Sequence, residues 1–267
     1  GFAISGRGTG KLGEIDSYFN ISGNQDVDTV ASDARIFWYP KKEAFLTGRV
    51  LVESPDSVGT NSMATGFESK AVGNYSQAMG FKAVARGHYS TAIGDSAIAS
   101  GLSSFSFGEQ TQAVGDGSYA FGKQSVAMGI NSYAFGANIG VTNTQALKEN
   151  SFAFGLGCVS NGIGAISIGT LNNSSANYSF SVGWNNIASK TGASAMGHLV
   201  TSSGDYSTAL GYNSTASGNY STALGYETNA SGLYSTALGK NSTAGGESSI
   251  SLGWECSASG KIGRAHV

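Results

Sequence analysis

The sequence predicts an all-β parallel β-roll, a solenoid built from 14-residue coils, and three observations carry the prediction. First, a glycine recurs at positions 66, 80, 94, 108, 122 and 136, then at 155, 169, 183, 197, 211, 225, 239 and 253; every step is 14 residues except the 19 from Gly136 to Gly155. A fixed short period marks a repeat architecture. Second, counting from that anchor glycine, positions −4 and −2 are small in every repeat (Ser76 and Ala78, Ser207 and Ala209), while position −1 is large and apolar in thirteen of fourteen, Thr65 being the exception. This alternation has the period of a strand. Third, a second glycine often follows seven residues on, as at Gly73, Gly87, Gly204 and Gly218, where a turn with positive φ or close backbone approach is expected. Glycines this dense argue against helix, whose interior each would weaken by about 1 kcal/mol.

Each coil therefore reads strand, turn, strand, turn, with two strands of about four or five residues. Successive coils stack as parallel strands ~4.8 Å apart. Residues 1–58 form an N-terminal region: 1–33 read as loops and short strands, and the stretch 34–52 joins Phe37-Trp38-Tyr39, Pro40 and Lys41-Lys42 to a further apolar run. That stretch is either an aromatic binding surface or, the reading preferred here, a cap over the open strand edge of the terminal coil. The repeats occupy 59–261. The five extra residues of the 19-residue step fall within 137–150 and should bulge outward, as a tolerated loop or a binding loop. The last six residues, Ile262-Gly263-Arg264-Ala265-His266-Val267, break the pattern and back-translate to a common short-read sequencing adapter. With the missing initial Met, they suggest a draft-assembly fragment whose residues 262–267 are not biological.

Side-chain size assigns the faces. So narrow a coil has room inside only for Ala, Ser and Gly, which places the −4 and −2 residues inside. The −1 column then points out: Met79, Ile93, Phe107, Phe121, Phe135, Phe154, Ile168, Leu210, Leu224, Leu238 and Leu252. A contiguous apolar stripe marks an interaction surface, and the simplest partner is the same stripe on identical chains around an axis. The inverse arrangement is a wider monomeric solenoid with this column inside and the small residues outside. Cys158 and Cys256 share a coil phase but stand seven coils apart, roughly 34 Å, too far for a disulfide.

The repeats Asn61-Ser62-Met63-Ala64-Thr65-Gly66, Asn74-Tyr75-Ser76-Gln77-Ala78-Met79-Gly80 and Asp205-Tyr206-Ser207-Thr208-Ala209-Leu210-Gly211 resemble the head repeats of the YadA-like trimeric autotransporter adhesins, over about residues 61–260. The resemblance implies a left-handed β-roll, a homotrimer made with two identical chains, and a bacterial surface protein that binds extracellular matrix or cell-surface ligands. Related repeats occur in phage tail fibres, which leaves a structural spacer as the alternative. The family's neck, coiled-coil stalk and outer-membrane barrel are not in this sequence, so any membrane attachment would run through an absent C-terminal anchor.

Other chemistry finds little footing. With 15 basic and 17 acidic residues and no basic cluster, nucleic acid is not an expected partner. The acidic residues match no calcium loop, and the serines sit at repeat positions, outside any nucleophile elbow. His88 and His198 lie many coils apart. No cofactor, metal or catalysis is expected. Two columns qualify as binding surfaces. Position −5 carries Tyr75, Tyr89, Tyr178, Tyr206, Tyr220 and Tyr234; position −3 carries Phe105, Tyr119, Tyr133, Phe152 and Phe180 in the middle and Thr91, Thr208, Thr222 and Thr236 elsewhere. Tyrosine suits interfaces by its size and polar tip, yet stacked rings also stabilise neighbouring coils. The threonines raise an ice-binding face as a minor alternative.

Overall fold

The computed structural model describes residues 29–39, 42–138, 140 and 142–260, and the backbone alone of Arg264–His266. The loops expected for residues 1–28 lie outside the described residues, as do Pro40 and Lys41. Among the described residues there is no α-helix; Pro55–Ser57 forms a single 3-10 turn. The chain divides into two compact units, Gly1–Gln124 and Ser125–Val267.

In the first unit, β1 (Val30–Tyr39) and β2 (Ala44–Val52) form an antiparallel hairpin. Along β1, Phe37 and Tyr39 are buried and Trp38 faces out, the alternation a half-covered strand requires. β2 then pairs in parallel with β3 (Met63–Phe67), Gly48 opposite Gly66, so the hairpin lies along the edge of the first repeat. Within this unit, from β3 to Tyr119–Lys123, each five-residue strand pairs in parallel with the strand 14 residues later, as Gln77–Phe81 does with Thr91–Asp95. A second ladder of two-residue strands runs beside it, Lys70–Ala71 on Val84–Ala85 and so on.

The second unit repeats this plan. Thr208–Tyr212 pairs with Thr222–Tyr226, and Thr215–Ala216 with Asn229–Ala230. The extra residues of the long step are absorbed between Tyr133–Ala137 and Gln145–Ala146. Thr144 re-enters the interior, its hydroxyl donating to the carbonyls of Ala137 (2.9 Å) and Gly155 (2.8 Å). The backbone of Arg264–His266 continues the ladder beside Ile250–Leu252; an open strand edge offers such pairing to any extended segment.

The interior is made of small side chains, as the size argument requires. Every −4 and −2 residue is buried, from Ser62 and Ala64 to Ser249 and Ser251. Two further inward columns, at +3 and +5, were not anticipated: Ala83 and Ala85, Asn186 and Ala188, Thr228 and Ala230. Serine at −4 serves the turn before it. In Ser76, Ser90, Ser151, Ser179 and Ser207 the hydroxyl donates to the carbonyl three residues back at 2.6–2.7 Å.

The second strand is shorter than the four or five residues expected. Two corners per coil use up the difference, each held by a residue in the left-handed region, such as Tyr206 (φ 54°) and Asn213 (φ 49°). The glycines divide the turn roles between them. Anchor Gly225 has φ 138°, closed to L side chains. Half-period Gly218 needs no positive φ, but a Cβ there would stand 2.0 Å from the carbonyl oxygen of Gly232 in the next coil.

Candidate functional site

With the interior filled by Ala and Ser, the large side chains form outward columns along each unit. The −1 column is the longest. Phe107, Phe154, Leu210, Leu238 and Leu252 are exposed, Phe154 by 52%. Met79, Ile93, Phe121, Phe135, Ile168 and Leu224 are half-buried, and none of the eleven is buried. The inverse arrangement, with this column as an internal core, is therefore not the one adopted. Aromatic −3 side chains pack against it: Phe105 stacks on Phe121 at 5.3 Å, and Phe152 on Phe154 at 6.4 Å.

The −5 column sits at a corner. All its residues are in the left-handed region, the tyrosines at φ 54–58°, which costs roughly 1–2 kcal/mol for an L residue. Stacking offsets this. Tyr75 and Tyr89 are parallel at 5.1 Å, Tyr206 and Tyr220 at 5.5 Å, and Tyr220 and Tyr234 at 5.1 Å, each pair contributing ~0.5–1.5 kcal/mol. The rings cover one another's faces and present edges and hydroxyls to solvent. The remaining tyrosine, Tyr178, has no ring partner among the described residues and is the most exposed of the six, at 68%.

Beside this corner, the −6 side chains lock coil to coil. Asn74, Asn177 and Asn219 each accept a backbone N–H from the preceding coil at 3.0 Å, and His88 does the same through Nδ1 for the N–H of Asn74. His88 is thus part of the scaffold.

A third outward column, at +1, escaped sequence reasoning. In the second unit it runs Trp184, His198, Tyr212, Tyr226, Lys240, Trp254. Trp184 and His198 rings are 4.1 Å apart, His198 meets Tyr212 edge-on at 5.1 Å, and Tyr212 stacks on Tyr226 at 4.9 Å. The Lys240 ammonium lies 5.6 Å from the Tyr226 ring and 5.3 Å from that of Trp254, a cation–π sandwich. The carboxylate of Glu227 raises the pKa of the Tyr226 phenol. Tabulating the residue after each anchor glycine would have exposed this column.

The Thr column is short. Thr208, Thr222 and Thr236 pair in register, bounded by Ser194 before and Ile250 after. Cys158 and Cys256 are both buried and free. Among the described residues no group of His, Cys, Asp and Glu could hold a metal ion, and no helix is long and apolar enough to cross a membrane.

A narrow parallel solenoid with its large apolar side chains turned outward is a repeat protein built to make contacts along its length. The YadA head domain repeat model matches residues 57–83, 75–97, 99–124, 120–138, 160–186, 202–228 and 230–255, more than half of the chain. The chain belongs to this family, that of the adhesin-type heads of trimeric autotransporters. No curated protein matches it.

Proposed function

We propose that this chain is the head of a homotrimeric adhesin on the bacterial cell surface, binding extracellular matrix or cell-surface ligands without catalysis. The outward −1 column carries the proposal. Full burial of one Leu, Ile, Met or Phe side chain contributes ~1.5–3 kcal/mol. Half of that over the eleven residues of the column is about 8–16 kcal/mol per chain, on the scale of the roughly 4–15 kcal/mol that association costs. Met79, Ile93, Phe107, Phe121, Phe135, Phe154, Ile168, Leu210, Leu224, Leu238 and Leu252 are the interface residues of this reading. The tyrosine and +1 columns then remain on the outside, where many weak contacts on three chains add by avidity. The test is adhesion of protein-coated beads to immobilised matrix proteins and to cultured cells. Binding above that of beads carrying a non-adhesive protein is the expected result; none on any surface would refute it.

A second reading, a spacer or tail-fibre shaft, is favoured by the stacking in the −5 column. Rings that cover one another serve stiffness as well as recognition. Neighbouring genes separate the two: an anchor barrel downstream accompanies an adhesin, tail-morphogenesis genes a fibre.

A further inference from the structure

The −5 column places phenols next to phenols. Tyr75 and Tyr89 are neighbours in the first unit, and Tyr206, Tyr220 and Tyr234 are neighbours in the second. Each neighbouring pair is nearly parallel: 3° apart for Tyr75 and Tyr89 at 5.1 Å, 10° for Tyr206 and Tyr220 at 5.5 Å, and 18° for Tyr220 and Tyr234 at 5.1 Å. In the +1 column Tyr212 and Tyr226 meet the same condition, at 10° and 4.9 Å. Rings this close to parallel, carried one coil apart on the same repeat position, hold like carbons at about the spacing of their centroids. The carbons ortho to each hydroxyl, which share the unpaired electron when a phenol is oxidised, therefore stand opposite their counterparts. The stacked −5 rings are also within reach of an oxidant and free to tilt. They are 49–60% exposed, and exposed side chains reorient in picoseconds to nanoseconds.

Two features of the column single out the phenol. The left-handed corner is costly for tyrosine, and the same position accepts Ser103, Asn131, Asn150, Gly192 and Ser248. Phenylalanine would stack as well, yet the column holds none, although the chain exposes phenylalanine freely at Phe107 and Phe154 of the −1 column. Costly conformations kept in this way point to use.

We propose that these tyrosine pairs are an oxidative modification site, at which hydrogen peroxide and a haem peroxidase join neighbouring coils through dityrosine bonds. The peroxidase takes one electron and one proton from each of two adjacent phenols. The two phenoxyl radicals join at their ortho carbons, forming one C–C bond. The hydrogen on each joined carbon then moves to that ring's oxygen, which restores both aromatic rings and both hydroxyls. One peroxide is reduced to two waters, so the chain loses two hydrogens per bond. Proximity makes the neighbouring rung the preferred partner: radicals held side by side couple within the chain before either meets another molecule. At Tyr226 the Glu227 carboxylate beside the phenol can accept the departing proton. The product staples successive coils at the corner, and it does so whether the rod is an adhesin or a shaft.

The test is oxidation of the intact chain with peroxidase and hydrogen peroxide, read by the blue fluorescence of dityrosine and by mass spectrometry of tryptic peptides. Cleavage after lysine and arginine puts Tyr75 in peptide 71–82 and Tyr89 in peptide 87–123, so their bond appears as two joined peptides lighter by two hydrogens. Peptide 191–240 holds the five tyrosines of the second unit's pairs and should lose two hydrogens per bond without gaining a partner. Tyr178, the only tyrosine of peptide 149–190, is without a stacked neighbour and should stay unlinked. Tyr89→Phe keeps the ring and removes the phenol, and should abolish the product that joins 71–82 to 87–123. Circular dichroism establishes that this variant folds; Tyr75→Phe replaces it if it does not. The same oxidation applied to a tryptic digest at equal concentration should give the joined peptides at least about tenfold less, because the coils no longer hold them together. Absence of dityrosine from the folded chain, persistence of the product in Tyr89→Phe, equal yield from the digest, or covalent multimers as the main product on a denaturing gel would each overturn the proposal.

Discussion

Replacing Gly232 by alanine should destabilise the coil stack severely, and the same change at Gly245, in the next coil, should not. A Cβ on Gly232 would stand 2.0 Å from the carbonyl oxygen of Gly246 and 2.5 Å from its carbon. Relief to an ordinary contact needs a shift of more than 1 Å, and both partners are backbone. The shift acts on the bonds Gly232 N–H to Ala244 O (3.2 Å), Ser235 N–H to Gly232 O (3.2 Å) and Gly246 N–H to Ala258 O (3.2 Å), all near their limit. A buried backbone group left without a partner costs ~1–3 kcal/mol, so losing two or three of these bonds costs about 2–9 kcal/mol. The ordinary gain from Gly→Ala, ~0.4–1 kcal/mol through the unfolded chain, does not offset that. At Gly245 the nearest atom to a new Cβ is the Ser231 hydroxyl at 3.7 Å, and there the gain should appear unopposed. Urea denaturation followed by circular dichroism, with the intact chain as reference, measures both. Midpoints for the two variants that agree within error would refute the close-packed glycine column.

Further outcomes follow from the interior and the ladders. Asn186 donates through Nδ2 to Val182 O (2.9 Å) and Gly197 O (2.8 Å) and accepts from Val200 N–H (2.9 Å); Asn186→Ala should cost ~2–4 kcal/mol in the same denaturation experiment. Tyr220 stacks on two neighbours, so Tyr220→Ser should lower stability by ~1–2 kcal/mol, and an unchanged midpoint would show the stacking to be inert. Burial raises the pKa of the Cys158 thiol, with hydrogen bonds involving Asn172 opposing part of the rise. Ellman's reagent at about pH 8 should therefore leave Cys158 and Cys256 unmodified in the native chain and react with both in guanidinium. Because the fold holds Cys158 neutral, its contribution to stability is complete below the ordinary thiol range and is lost as pH rises through its raised pKa.

The fold was legible because its period is written in residues that have no substitute. The anchor glycines need both positive φ and contact with the next coil, and the −2 and −4 positions admit only Ala and Ser, so register and faces could be read from the chain. The parts that were missed lack such a constraint. The inward +3 column holds Ser, Ala, Thr, Asn, Cys and Val, as in Ser214, Ala83, Thr111, Asn186, Cys158 and Val200, because the interior there admits side chains of several sizes and no single residue type marks it. The +1 column mixes Phe67, Asp95, Lys123 and Trp184, so no one residue type marks it, and it shows only when the residue after each anchor glycine is tabulated. The two-residue second strand was hidden because its corners use Tyr, Asn and Glu in the left-handed region where glycine would have been the sign. At the N-terminal side, Phe37, Trp38 and Tyr39 announced an unusual segment, but only the pairing of β2 on β3 shows which rings turn in.

The central claim is that the apolar −1 column faces outward to be covered by identical chains. Light scattering on a size-exclusion column, applied to the chain and to a Leu210→Asp/Leu224→Asp variant, tests it most directly. The account predicts a mass of three chains for the parent and loss of that mass in the variant. A stable, folded monomer with its phenylalanines and leucines in water would contradict it.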